Sequence, residues 1–263
     1  MNWLKRNDLA VFLFLSFAFS WWVWPLHFLN PESTPMIPWG PFIAVFIVLG
    51  LTQGWIGIKG LLSDMFRWRV NGRWYLLAVV LPIAVTFTAA YLNTMLGGPA
   101  ISASVFDELR LFVPALLVTI LFAGPFTEEP AWRGFFLPRL QEKYTPLVAS
   151  LIIGGVWWLW HMPLMISDST GQRPPLQYLF SILAYSLLFT WTYNQSRSSI
   201  FIVTLMHGVT NTIASFVFRG LFGEYYQQLW WLYAGLWWVA ASWIVFRPSA
   251  RATIVEPMAS TKS

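Results

Sequence analysis

Long apolar runs, broken by turn-forming and charged residues, set the organisation of this chain. Eight candidate helical spans follow from that pattern, at about 9–29, 40–58, 73–96, 109–127, 145–166, 175–194, 198–218 and 225–246. Several approach the ~20 residues that a helix needs to cross a hydrocarbon core. The predicted fold class is therefore all-α: a polytopic membrane protein of about eight transmembrane helices, with any active site inside the bundle. Lys5 and Arg6 precede the first run, an order shared with secretory signals, but the run from Leu9 to Leu29 predicts an uncleaved first span. A C-terminal tail from Pro248 to Ser263 reads as disordered.

Composition supports a lipid solvent. Apolar residues make up 57% of the 263, charged residues only 10%, and there are 18 Trp. Trp21, Trp22 and Trp24, and Tyr225 with Tyr226, read as interfacial belts. The basic residues lie singly or in pairs between apolar runs and form no stripe, which argues against nucleic acid as a partner. Their distribution bears on orientation instead. With a cytoplasmic N-terminus, Lys5, Arg6, Lys59, Arg67, Arg69, Arg73, Arg133, Arg139, Lys143, Arg197, Arg247, Arg251 and Lys262 fall inside, and Arg110, Arg173 and Arg219 outside. Both termini are thus expected in the cytoplasm. Cysteine is absent, which excludes disulfides and thiolate chemistry.

Ionisable side chains inside spans are costly and mark functional candidates. In Phe126-Thr127-Glu128-Glu129-Pro130-Ala131-Trp132-Arg133, Glu129 and Arg133 stand one turn apart and should pair, leaving Glu128 for other work. Thr127 is the expected helix cap, with Pro130 in the first turn. His161 follows Trp157 by one turn, and His207 precedes Asn211 by one turn. His27 has no evident partner and reads as structural. Alone, each cluster has a structural reading: a capping box, a bundle hydrogen bond, polar glue between helices. Together, on three spans, they can form one pocket. Glu128, poorly solvated there, would act as general base on a water also held by His161, while His207 and Asn211 would donate to an oxyanion. Alternatively Glu128, His161 and His207 could hold zinc with an open water position, although no His-Glu-x-x-His helix is present.

These motifs resemble the type II CAAX prenyl protease and bacteriocin-processing (CPBP, or Abi) family of intramembrane endopeptidases, whose signature is Glu-Glu-x-x-x-Arg, Phe-x-x-x-His and His-x-x-x-Asn. Glu128, Glu129 and Arg133 match the first, His161 the second with Trp157 in place of phenylalanine, and His207 with Asn211 the third. The resemblance covers roughly 109–215. It implies an eight-helix core with Glu128, His161 and His207 catalytic, Asn211 beside the oxyanion, and a metallo- or glutamate-type mechanism. It sets a protease core of 109–215 between N-terminal helices at 1–108 and a last helix with its tail at 216–263. The expected function is hydrolysis of a peptide bond near the cytoplasmic face, in a CAAX-type prenylated or other membrane-associated peptide or protein. Two non-proteolytic expectations stand beside it: a bacteriocin-immunity or scaffold protein, and a proton-coupled transporter.

Overall fold

A computed structural model describes residues 2–168, 173–221 and 223–245. The predicted tail, and with it Arg247, Arg251 and Lys262, lies outside the described residues. Every regular element among the described residues is helical: α1 (Asp8–Trp21), α2 (Gly40–Thr52), α3 (Gly54–Met65), α4 (Gly72–Met95), α5 (Phe112–Phe122), α6 (Pro125–Ala131), α7 (Leu137–Gln141), α8 (Pro146–Trp160), α9 (Pro175–Gln195), α10 (Ile200–Phe218) and α11 (Tyr226–Val245), with single turns between.

Helix starts follow local chemistry. Asn71, Thr145 and Ser199 each accept a backbone N–H of the first turn of α4, α8 and α10. Proline occupies the opening turn of α2, α6, α8 and α9, where a missing N–H is harmless. The run expected as one helix at 40–58 divides at Gln53, because Gly54 adopts a positive φ of 64°.

Helices occupy all eight predicted segments, but the number of spans is not carried over. Three stretches are long and apolar enough to cross a membrane: Asp8–His27, Gly72–Met95 and Ile200–Leu221. A fourth is formed if Ser104–Phe122 and Pro125–Gln141, bent by 46° at their break, count as one. The segment expected to end at residue 127 therefore runs on to Gln141.

The bundle has two distinct ends. At one, Asp8 Oδ2 accepts from Arg139 Nε at 2.6 Å, and Ser199 Oγ donates to the Arg67 carbonyl at 2.6 Å. At the other, Trp21 Nε1 donates to the Trp160 carbonyl at 3.0 Å, Gln228 Nε2 to Asn93 Oδ1 at 3.0 Å, and Arg219 lies 3.6 Å from Glu108. Trp21 thus ties two helices together, and Tyr226 is buried. Between the ends, α10 packs on α4 and α5, and α9 packs on α8 and α11. The outer surface remains apolar: Phe14, Ile56, Leu76, Leu117 and Val239 are all exposed.

Candidate active site

The break at Gly124 is the local feature that places the carboxylates. Gly124 has a φ of +113°, a region that disfavours any residue with a Cβ, and a Cβ there would collide with Glu128 Oε1. Pro125 then opens α6, and the Glu128 N–H returns to the Gly124 carbonyl at 2.8 Å. This places the helix start three residues before the expected one. Thr127 is therefore no cap: its hydroxyl donates to the carbonyls of Pro38 and Gly124 at 3.0 and 2.9 Å. Pro130 lies inside the helix instead of in its first turn. Immediately after it the ladder widens into a π-helical turn, Trp132–Phe136, which carries Arg133.

The expected Glu129–Arg133 ion pair forms at 3.1 Å, and both side chains are fully buried. Arg133 is thus no loop charge, and it leaves the count of inside basic residues. Its guanidinium lies 4.7 Å from the Trp157 ring and 5.1 Å from Phe189, a cation–π sandwich, and reaches Ser186 Oγ at 3.4 Å. Glu129 Oε1 also meets His207 Nδ1 at 2.8 Å. Glu129 thereby fixes a ring 78 residues away, a link that i, i+4 spacing cannot reveal.

Glu128 faces the other way. Its Oε2 accepts the Trp157 indole N–H at 2.5 Å. Trp157 sits between the motifs: its ring is 5.9 Å from that of His161 and 5.2 Å from that of His207. His161 closes α8 with its Nδ1 2.8 Å from the Trp157 carbonyl. A carbonyl only accepts, so Nδ1 carries the proton and Nε2 is left as an acceptor.

Glu128, His161, His207 and Asn211 line one cavity of about 690 Å³, with Trp157. The same walls hold Tyr178, Tyr185, Tyr226 and Tyr233, and Arg173 and Arg219. None of these six was singled out from the sequence as a cavity residue, since an aromatic stripe at helical spacing is indistinguishable there from core. Asn211 lies one turn beyond His207 on the cavity wall. His27 does not join them. Its Nδ1 is 2.7 Å from the Ser33 carbonyl, in the turn after α1.

Glu128 does not follow the end of a span, as the expected boundary at 127 would have it. Because the bent helix continues to Gln141, Glu128 lies level with Trp157, deep within the bundle. For metal, the side chains as they stand are a poor fit. Among the described residues no three His, Asp or Glu side chains are grouped as a metal ion would require. Glu128 would have to turn from the Trp157 indole, whereas the His207 Nδ1–Glu129 contact leaves Nε2 oriented as a ligating imidazole requires.

Residues 110–213 match the family model described as type II CAAX prenyl endopeptidase, Rce1-like. The match takes in less than half of the chain. The chain is also similar to CAAX prenyl protease 2 of Methanococcus maripaludis, 33% identical over 108 residues that cover 38% of this chain and 39% of that protein. Less than half of the relative is thus spanned. The matched segment begins just before α5 and ends within α10, so all three motifs lie inside it. The match and the long apolar helices together make the chain an integral membrane protein.

Proposed function

We propose that this protein is a multi-pass intramembrane endopeptidase, with both termini in the cytoplasm, that hydrolyses a peptide bond in its central cavity. One observation carries the reading: a buried carboxylate and two imidazoles, each held by a separate contact, converge on one cavity large enough for an extended peptide.

The chemistry assigns each group a task. Glu128 takes a proton from a water whose oxygen attacks the scissile carbonyl carbon, and His161 Nε2 orients that water by accepting from it. The carbonyl oxygen gains the charge. Asn211 donates to it, and His207 does so when Nε2 is protonated, with the Glu129 carboxylate balancing the imidazolium. Collapse breaks the C–N bond, and the proton on Glu128 passes to the leaving nitrogen. Arg133 holds Glu129 in place, and Trp157, on the cavity wall, holds Glu128.

The test uses quenched fluorescent peptides, farnesylated and unmodified, with purified wild type and Glu128→Gln. Wild type should cleave, and Glu128→Gln, folded to the same melting temperature, should lose about 10²–10⁴-fold in rate. Cleavage by Glu128→Gln at the wild-type rate would remove the general base. A chelator separates mechanisms: resistance supports the glutamate route, and loss restored by zinc supports Glu128, His161 and His207 as zinc ligands. The farnesylated peptide tests whether the specificity in the relative's name extends to this chain.

A further inference from the structure

Three rings brace the His161 imidazole. Two belong to its own helix: the centroids of Trp157 and Trp160 lie 5.9 and 4.8 Å away. The third, Tyr178, comes from α9 and stands at 5.5 Å, almost perpendicular at 88°. Trp160 and Tyr178 are themselves held. The Trp160 indole donates to Ser20 Oγ at 2.9 Å, and Trp230 of α11 lies 5.8 Å from the Tyr178 ring. Tyr178 sits in the first turn of α9, its N–H returning to the Pro174 carbonyl at 3.0 Å. None of the three motifs lies on this helix, so their spacing does not point to it.

A peptide drawn into the cavity gives up water from its own backbone, and each carbonyl that finds no donor there is costly. Successive carbonyls of an extended chain point to opposite sides, so a peptide that presents its scissile carbonyl to His207 and Asn211 turns the next one away from α10. A donor on another helix must meet it. Several polar side chains of the wall are already committed. Trp157 donates to Glu128, and Thr210 and Ser215 donate to the Met206 and Thr212 carbonyls of their own helix. The Tyr233 hydroxyl is enclosed. The hydroxyl of Tyr178, a half-buried wall residue, is not enclosed and has no hydrogen-bond partner among the described residues.

We infer that Tyr178 is a further working residue of the site, with two separable parts: its hydroxyl donates a hydrogen bond to a backbone carbonyl of the bound peptide next to the scissile bond, and its ring fixes the orientation of His161. The inference rests on the endopeptidase reading for the peptide's fate but not for its binding. The hydroxyl contact exists as soon as the peptide is bound, so it acts on affinity. The ring acts through His161, whose Nε2 must stay aimed at the attacking water, so it acts on turnover.

Tyr178→Phe removes the hydroxyl and keeps the ring; Tyr178→Leu removes both. The Phe variant should melt at the wild-type temperature, because the hydroxyl has no partner in the protein to lose. Affinity is read first without cleavage, on the Glu128→Gln background in detergent, from the polarisation of a dye-labelled, unmodified form of the test peptide. Adding Tyr178→Phe should raise its Kd about 2–10-fold, the span of one neutral hydrogen bond. An unchanged Kd overturns the hydroxyl contact. With Glu128 present, Tyr178→Phe should show the larger part of its loss in KM, and a loss confined to kcat overturns the contact as well. Tyr178→Leu, compared at equal folded fraction, should lose about 10–10²-fold more in kcat than Tyr178→Phe. Equal kcat in the two variants overturns the brace on His161. Peptide that binds wild type, binds Tyr178→Phe more weakly and is cleaved by neither would leave Tyr178 in the site and remove the endopeptidase reading.

Discussion

At the scale of the residue, Trp157 does more than its place before His161 suggests. Its indole N–H reaches Glu128, its carbonyl accepts from His161, and its ring covers Arg133. Trp157→Phe supplies the phenylalanine of the family signature and keeps a ring over Arg133, but it removes the donor to Glu128. A buried acceptor left without its partner costs about 1–3 kcal/mol. The variant should fold with a lowered melting temperature and turn over more slowly because Glu128 is no longer held. An unchanged kcat would show that the indole only packs. Glu129→Gln should be worse for stability. It leaves Arg133 without its partner at zero exposure, and breaking a buried pair costs about 3–5 kcal/mol. Replacing Glu129 and Arg133 together by Gln and Met should recover part of that loss, read as a double-mutant cycle in denaturant melts in detergent.

At the scale of the element, the decisive feature is the break between α5 and α6. Gly124→Ala forces a Cβ into a positive-φ position and onto the Glu128 carboxylate, so it should lose activity and ~1–3 kcal/mol together. Gly154→Ala serves as the comparison. Its Cβ would come within 3.2 Å of the Leu183 Cα where α8 crosses α9, away from Glu128. Overpacking there should cost a similar ~1–3 kcal/mol yet leave most of the turnover of the folded fraction. Equal activity in the two variants would detach the Gly124 conformation from the chemistry. The same break marks the limit of what could be read beforehand. Apolar runs located a helix in every predicted segment, and helical spacing paired Glu129 with Arg133 and put His207 and Asn211 on one wall. Hydropathy falls at Thr127-Glu128-Glu129, a fall that predicts the end of a span. The helix instead continues, because the charges are compensated by Arg133, His207 and Trp157 from within the bundle. Composition cannot register compensation supplied by another helix, so the contacts that span 29 and 78 residues had no local signature.

At the scale of the whole molecule, polarity is arranged inside out. Glu128, Glu129, Arg133, His161 and His207 are buried, whereas large apolar side chains cover the outside. In water this surface would drive aggregation; in lipid it carries no cost. The arrangement predicts which substitutions the membrane itself will reject. Val80 lies well inside α4, half exposed, and takes no part in the cavity. Val80→Lys puts an ammonium against hydrocarbon, at about 2.5–3.5 kcal/mol for a central helix position. Glu224→Lys changes charge just as firmly, but at an exposed position just before α11. The fraction recovered in carbonate-washed membranes should therefore fall for Val80→Lys and hold for Glu224→Lys. Whatever Val80→Lys protein does insert should cleave at the wild-type rate, since no wall of the site has moved. Equal recovery of the two variants would mean that α4 does not face lipid at residue 80, and that another chain or a water-filled groove covers it.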